Sequence, residues 1–392
     1  MSGRGQRKAF SQAEWDAINA ELDRDPQRYG VPARVFGSAV LGSFNIRKLG
    51  AARRRSAATW RFLGRLCRSF DLLAVQEVMD DLSGLYRLVA EMGPEFELIV
   101  SDKTGAFPGD RGLNERLAFV YRSAVVHRGP IASDVTYDRT KIHSILLERW
   151  DEIAEAVARH RERVDRYERG LRRTRPKLEL PVFLSFIRQP YAVAFQIIGH
   201  PGVQPYRFIA VNAHLIFGAL EERKREFSAL MEWVLQHARQ ASRGDFPGLI
   251  LLGDLNLDFD NPATDISDIQ RYLNSFDNRD GDEVSVWMPF LEPHPRVGQV
   301  LRTNARMRET FDHIGLFFPT ERVPPHVRQA PVARDPRGPD YGVINFVELF
   351  CRATEGVSFK RLPKRRRKGF YARFEHKVSD HMPIWLRVPL PE

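Results

Sequence analysis

The feature that most restricts how this chain can fold is a recurrence: apolar runs of strand length break off at a carboxylate, an amide or an imidazole. AVLGSF stops at Asn45, LLAV at Gln76-Glu77, FIAV at Asn212 and His214, LILLG at Asp254 and Asn256, and ETF at Asp312-His313, while Asp380-His381 stands just before MPIWLRV. A single polar residue at a strand end is an ordinary turn or cap former. Six such ends in sequence order are different. Burying each group costs several kcal/mol unless it is paired, so together they imply one shared polar site along one edge of a sheet.

Between these ends the text alternates. Strand-like runs at 39–46, 71–78, 96–101 and 116–122 are interleaved with amphipathic helical stretches around 53–68 and 81–92, and the pattern returns at 183–198, 207–217, 249–259 and 378–388 with a helix from about 219 to 242. Such alternation signals a mixed α/β layered domain. Ahead of it, Ser11-Gln12-Ala13-Glu14 fits a capping box, and Trp15, Ile18 and Leu22 follow at helical spacing, which predicts a short appended helix within an N-terminal extension, residues 1–36. The main domain is read as 37–392 with two insertions.

The first insertion, about 134–180, reads as one long helix. Leu146, Trp150, Ile153, Val157, His160, Val164, Tyr167 and Leu171 recur with alternating spacings of 4 and 3, a heptad seam with one polar member. Glu155 with Arg159, Glu162 with Arg166, Asp165 with Arg169 and Glu168 with Arg172 form i,i+4 pairs on its other faces. The seam calls for a partner: the core domain, the N-terminal helix, a second subunit or another protein docked on the arm at 141–175. The second insertion, about 318–374, is rich in Pro and Arg, reads as irregular, and contains the basic run Lys364, Arg365, Arg366, Arg367 and Lys368. A run of this kind is either a solvated face or a contact for a polyanion.

Composition narrows the function classes. Hydrophobic residues at 43% and charged residues at 28% exclude a wholly disordered or fibrous chain. No apolar window reaches membrane-spanning length. The opening residues MSGRGQRKAF carry charge with no apolar segment behind it, so a cytoplasmic location is expected. Two cysteines, Cys67 and Cys351, rule out a disulfide framework and a Cys-rich zinc module. The net charge of +10 favours polyanionic partners, and fifty of the sixty cations are arginine, which matches phosphate geometry better than lysine does.

Chemically, the strand-end set is a hard-cation site with two imidazoles and no thiols. Glu77, Asp254, Asp380 and the amides of Asn45 and Asn256 offer oxygen ligands suited to Mg²⁺ or Mn²⁺. His214 and His381 exchange protons near neutral pH, the more so if acids such as Asp312 and Glu115 fix their tautomers. Metal, carboxylates and imidazoles together suit displacement at phosphorus by an activated water.

These residues carry a family resemblance. SFNIRKLG (43–50), AVQEV (74–78), NERLAFVYR (114–122), VNAHL (211–215), GDLNLD (253–258), TFDHIG (310–315) and SDHMP (379–383) resemble, in order and spacing, the motifs of the endonuclease/exonuclease/phosphatase superfamily. The resemblance implies an α+β fold, a four-layer α/β/β/α sandwich like that of deoxyribonuclease I, here with an inserted helical arm. It further implies that Asn45 and Glu77 form the metal-binding pair and that Asp380 adds a carboxylate on the metal side. His214 resembles the first catalytic histidine. Asp254 and Asn256 resemble the pair that orients the nucleophilic water, and Asp312 with His381 the acid-histidine pair at the scissile phosphate. The general base and the metal count differ within the family.

Two further segments point to the nuclease branch. NERLAFVYR resembles the stretch of deoxyribonuclease I-like enzymes in which an acid supports the first catalytic histidine, which implies that role for Glu115 opposite His214, and FIRQP (186–190) resembles their phosphate-contacting Arg segment, which implies a place for Arg188 near the substrate backbone. One departure stands against them: Met79 follows Gln76-Glu77-Val78 where such nucleases carry a DNA-contacting arginine, so a substrate contact must come from elsewhere. The extended tryptophan-containing signature of inositol-polyphosphate phosphatases is not evident. The expectation is a Mg²⁺-dependent phosphodiesterase on nucleic acid, DNA foremost, acting as an endonuclease and holding its substrate through Arg188 and residues 364–368. The alternative is a phosphatase or phosphodiesterase on a small phosphoester such as a nucleotide, inositol phosphate or lipid headgroup.

Overall fold

A computed structural model gives the structure and describes residues 9–104, 114–199, 201–241, 244–257, 284–319 and 336–391. The strand-like runs assemble into two six-stranded sheets. The first holds β1 (Ser38–Leu49), β2 (Leu72–Met79), β3 (Phe96–Val100), β4 (Glu115–Arg122), β11 (Asp340–Val343) and β12 (Ile384–Pro389), in the order β11-β12-β1-β2-β4-β3. The second holds β5 (Val126–Asp134), β6 (Tyr191–Ile197), β7 (Tyr206–His214), β8 (Gly248–Asp254), β9 (Val284–Trp287) and β10 (Asp312–Pro319), in the order β5-β6-β7-β8-β10-β9. Each sheet has one parallel pair, β1 with β2 and β7 with β8, and the other pairings are antiparallel. A parallel pair needs a crossover. Here α2 (Ala57–Cys67) and α6 (Leu220–Ala241) supply them.

The period-two alternation of each strand divides its side chains between two cores. In β2, Leu72 and Ala74 enter the layer between the sheets while Leu73 and Val75 face the outer helices; in β8, Ile250 and Leu252 point inward and Leu249 and Leu251 outward. Outside the first sheet pack α1 (Gln12–Arg24), α2, α3 (Ser83–Met92), α7 (Phe346–Glu355) and α8 (Lys364–Phe374). Outside the second lies α6, through Leu230, Met231, Val234 and Leu235. The result is the four-layer α/β/β/α sandwich implied by the motif order. No helix among the described residues is long and apolar enough to cross a membrane, and Cys67 and Cys351 are free and buried.

Three sequence expectations need correction. The capping box forms at Ser11 and Glu14, but α1 is no appendage: Trp15, Ile18 and Leu22 are buried, with the Trp15 ring tilted against Phe62 at 5.5 Å and edge-on to Phe350 at 5.9 Å. Burying Ile18 and Leu22 alone favours docking by about 1.5–3 kcal/mol each. The stretch from about 318 to 374 is not an irregular insertion. It carries β11, α7 and α8, and the apolar spacings Phe346-Phe350 and Phe370-Phe374, hidden among Arg and Pro, seat both helices on the first sheet. Residues 320–335 of that stretch lie outside the described residues.

The arm, too, differs. It is two helices, α4 (Arg139–Glu148) and α5 (Trp150–Glu168), broken at Arg149, whose φ of −123° and ψ of 22° leave the helical region. Of the seam, Ile153 is buried, while Trp150 is 61% and Leu171 67% exposed. The pairs Glu155–Arg159 and Asp165–Arg169 form on its surface. Near its base, Tyr137 and Lys141 both reach Glu232 of α6, at 3.2 and 2.6 Å.

Candidate active site

Strand register gathers the polar ends. On the first sheet Asn45 stands opposite Gln76, and Glu115 opposite Met79; on the second His214 stands opposite Asp254, and Asp254 opposite Asp312. Asp380 and His381 immediately precede β12, whose Ile384 pairs with Ser43. Gln76 and Asn212 fasten the sheets together at this end: Gln76 Nε2 donates to Asn212 Oδ1 at 2.7 Å, and Asn212 Nδ2 donates to the carbonyls of Val75 and Ala118. Gly253 permits the close approach of β8 to β7, since a Cβ there would lie 1.9 Å from the Ala213 carbonyl oxygen.

Backbone strain concentrates at this edge. The non-glycine residues of positive φ among the described residues are Lys48, Glu77, Asn114, Asn256 and Met307, at 46–57°. Two are site residues, Lys48 and Asn114 adjoin the site at Arg47 and Glu115, and Met307 sits in the loop that packs on Asp380 and His381. Left-handed conformations cost about 1–3 kcal/mol for ordinary side chains and persist where surrounding structure dictates them.

At the centre is Asp254, fully buried. Its Oδ2 accepts from Asn45 Nδ2 at 2.9 Å and its Oδ1 from the Asn256 backbone N–H at 3.0 Å. The same Oδ2 lies 3.4 Å from His381 Nε2 and 3.6 Å from His214 Nε2, so one carboxylate sits between two imidazoles. Each imidazole is backed by a second acid: His381 Nδ1 is 2.9 Å from Asp312 Oδ2, and His214 Nδ1 is 3.4 Å from Glu115 Oε2. Asn256 is held by its Nδ2 donating to the Leu215 carbonyl at 2.8 Å.

The electrostatics follow from this packing. Burial works against a charged His381, but Asp312 and Asp254 outweigh it and raise its pKa well above the usual imidazole value. Burial opposes ionisation of Asp254 as well, and the two histidines, with the Asn45 and Asn256 hydrogen bonds, still hold it below the usual carboxylate range. Asp312 goes the other way, raised by burial and by the charge of Asp254. The group as a whole therefore keeps a proton across neutral pH, centred on His381. At Glu115 burial is overcome by His214 and the Arg188 guanidinium, which hold the carboxyl low.

A second cluster lies beside the first. Asn45 spends its Nδ2 on Asp254, leaving Oδ1 buried without a partner, and Asp380 Oδ1 is likewise buried and unpartnered. Burial raises the Asp380 pKa, and the nearby Glu77 carboxylate raises it further against His381 and Arg47. Arg47 Nη1 lies 2.5 Å from Asp380 Oδ2, and Glu77 Oε2 accepts from the Lys48 N–H at 2.9 Å. Two orphaned oxygens with a second carboxylate alongside fit a hard divalent cation. Asp254, Asp312 and His381 are also close enough together to be ligands, but their nearest atoms are already committed to one another.

The structure thus joins His214, Asp254, Asn256, His381, Asp312, Glu115, Asn45, Glu77 and Asp380 at one edge. Arg188 is a correction. It is 7% exposed, its Nε donates to Glu115 at 2.5 Å and its Nη1 to the carbonyls of His214 and Leu215, so these donors are spent on the protein around His214 rather than held out on an open surface. Residues 364–368 form the first turns of α8 rather than a loop. Sequence reasoning missed Arg47, Ser379 and Thr303. Ser379 Oγ donates to the Asn45 carbonyl at 2.6 Å and accepts from the N–H groups of His381 and Arg47. Thr303 Oγ1 accepts from the N–H groups of Phe311 and Asp312. Arg47, two residues beyond Asn45 on the same strand face, was findable from periodicity; Thr303 had no local signal.

The two six-stranded sheets, flanked by helices and carrying this polar edge, form the four-layer α/β/β/α arrangement that the motif resemblance implies. No family model matches the sequence, and no curated protein matches it. Among solved structures, an endonuclease/exonuclease/phosphatase family protein from Bacteroides thetaiotaomicron is similar at 13% identity and a TM-score of 0.44, covering 89% of this chain and 97% of that one. A mannosyl-6-phosphatase from the same species matches at 14% identity and a TM-score of 0.45 over 89% and 98%. TDP2 of D. rerio, complexed with a single-strand DNA product, matches at 12% identity and a TM-score of 0.44 over 89% and 98%.

Proposed function

We propose that this chain is a Mg²⁺-dependent phosphodiesterase that hydrolyses nucleic acid, DNA by preference, as an endonuclease. The observation that carries the reading is Asp254 held between His214 and His381, each imidazole backed by its own acid. In that frame Asp254 and Asn256 orient the attacking water, with Asp254 as the acceptor of its proton. His381, kept charged by Asp312, donates to a phosphoryl oxygen as negative charge grows on it. His214, with the Glu115 carboxylate 3.4 Å from its Nδ1 and its backbone carbonyl held by Arg188, donates to a second oxygen. Asn45, Glu77 and Asp380 would hold the metal ion, which when bound supplies positive charge to the phosphate and its leaving group.

A specific observation keeps a second reading in play. Met79 replaces the arginine that contacts DNA in related nucleases, and Arg188 is buried, so the catalytic edge itself is short of backbone contacts. That favours a small phosphoester unless the polymer is held elsewhere. Nicking of supercoiled plasmid with Mg²⁺ or Mn²⁺, beside an EDTA control and the His214→Ala variant, separates the two. Cutting that needs both metal and His214 supports the nuclease. Turnover of small phosphoesters by folded protein that leaves plasmid intact would replace it with the second reading.

A further inference from the structure

A cleft of about 910 Å³ opens between α8 and the 304–309 loop, at the upper end of the roughly 300–1,000 Å³ of small-ligand pockets. Its cations are Arg306, Arg308, Lys364, Arg365, Arg367 and Lys368, and its one acid is Glu375. Arg367 is fixed by donating to the carbonyls of Leu362 and Lys360 and by lying over the Phe359 ring at 4.9 Å; Arg306 lies 4.0 Å from Glu375. Arg308, Lys364, Arg365 and Lys368 make no ion pair with any described residue. Tyr371, half-buried, forms part of the wall.

This crowding is not a device for stability. Like charges in one cleft repel, and cations in the first turn of α8, which has no acid there, oppose the helix dipole. The helix is held by its other face: Phe370 and Phe374 are buried, and Arg373 pairs with Glu14 at 2.6 Å. The loop is tied to the catalytic edge. Asn304 bridges His381, the Ala305 N–H donates to the Asp380 carbonyl at 2.7 Å, and Asn304 Oδ1 accepts from the N–H groups of Arg308 and Glu309. The loop that carries Arg306 and Arg308 is therefore joined directly to Asp380, the proposed metal-side carboxylate.

We propose that this cleft binds the phosphodiester backbone of a single-stranded nucleic-acid segment beside the catalytic edge, with Tyr371 as a stacking surface for a base. It rests on the nucleic-acid reading above and supplies the polymer contacts that Met79 and the buried Arg188 do not.

The test is fluorescence anisotropy of the full chain in EDTA with fluorescein-labelled oligothymidylate, the matching RNA, and phosphatidylserine vesicles. Between about 50 and 200 mM salt the wild type should bind the strands with steeply falling affinity. The Arg308→Ala/Lys364→Ala/Arg365→Ala/Lys368→Ala variant should bind at least about tenfold more weakly and lose about 3 from the log-log salt slope, near 0.7 per phosphate contact on single strands. Its melting temperature should not fall. An Arg161→Ala/Arg166→Ala variant of the arm should bind within about twofold of wild type. Wild-type affinity in the cleft variant, loss in the arm variant instead, or binding of vesicles with none of strands overturns the proposal. Binding in EDTA does not call on the chemistry. Failed nicking with cleft-dependent strand binding would sink the catalytic reading alone, and nicking with no effect of the cleft variant on binding would sink the cleft alone.

Discussion

The catalytic edge and the helical arm use the same residue types to opposite ends. At the edge Asp254, Asp312, His381, Glu115 and Arg188 are nearly inaccessible, and each charge lies within hydrogen-bonding or ion-pairing distance of another. On α5 the paired Asp165 and Arg169 side chains are 50% and 69% exposed. Charge removed from water interacts strongly and is costly to orphan; charge left in water contributes tenths of a kcal/mol. The edge is thus a rigid electrostatic device, and the arm is a solvated surface.

The sharpest way to break that contrast is Asp254→Asn, which keeps the shape but removes the charge between the imidazoles. Turnover in the nicking assay should fall about 10³–10⁴-fold. A loss below tenfold would deny Asp254 its central role. Next in size is Arg188→Ala, which leaves the buried Glu115 carboxylate without its cation. Urea unfolding should show a loss of about 3–5 kcal/mol, the cost of breaking a buried pair. A loss near that of a surface pair would mean water reaches this region.

His313 sharpens the comparison by pH. It is fully buried beside Asp312, with Nε2 bonded to the Thr310 carbonyl, and burial pushes its pKa down from 6.5 to about 4. The native state therefore takes up its proton less readily than the unfolded chain does. The stability this gives is complete above pH 6.5 and is lost as pH falls toward 4, about 3 kcal/mol in all. His313→Leu should flatten that part of the stability-pH curve, read by denaturation across pH 4–7. The smallest effect belongs to the arm: Arg169→Ala should cost about 0.3–0.5 kcal/mol, and less at high salt. A measured cost of several kcal/mol would show that α5 is buried against something in solution.

Much of the edge was legible because the information is local. Period-two runs ending at Asn45, Glu77, His214, Asp254 and Asp312 fix both the strand and the side on which its last polar residue emerges, and these residues do converge. Elsewhere local pattern misled. The heptad seam from Leu146 to Leu171 has coiled-coil spacing, yet Arg149 breaks it, and of its apolar residues Ile153 alone is fully buried while Trp150, Tyr167 and Leu171 are exposed. The Pro- and Arg-rich text around Phe346 and Phe370 concealed two helices of the outer layer.

By itself the sequence determined the strands that end at the site, the order of the polar ends and the chemical inventory there, because backbone periodicity and side-chain chemistry are properties of neighbouring residues. Tertiary structure alone decided that Arg188 is sealed against Glu115, that Asn45 bridges to Asp254 across the sheets while its oxygen stays free, and that the 304–309 loop and α8 bring six cations to one cleft. Those outcomes turn on distances between segments remote in the chain and on which charges lose their water, neither of which a local pattern encodes.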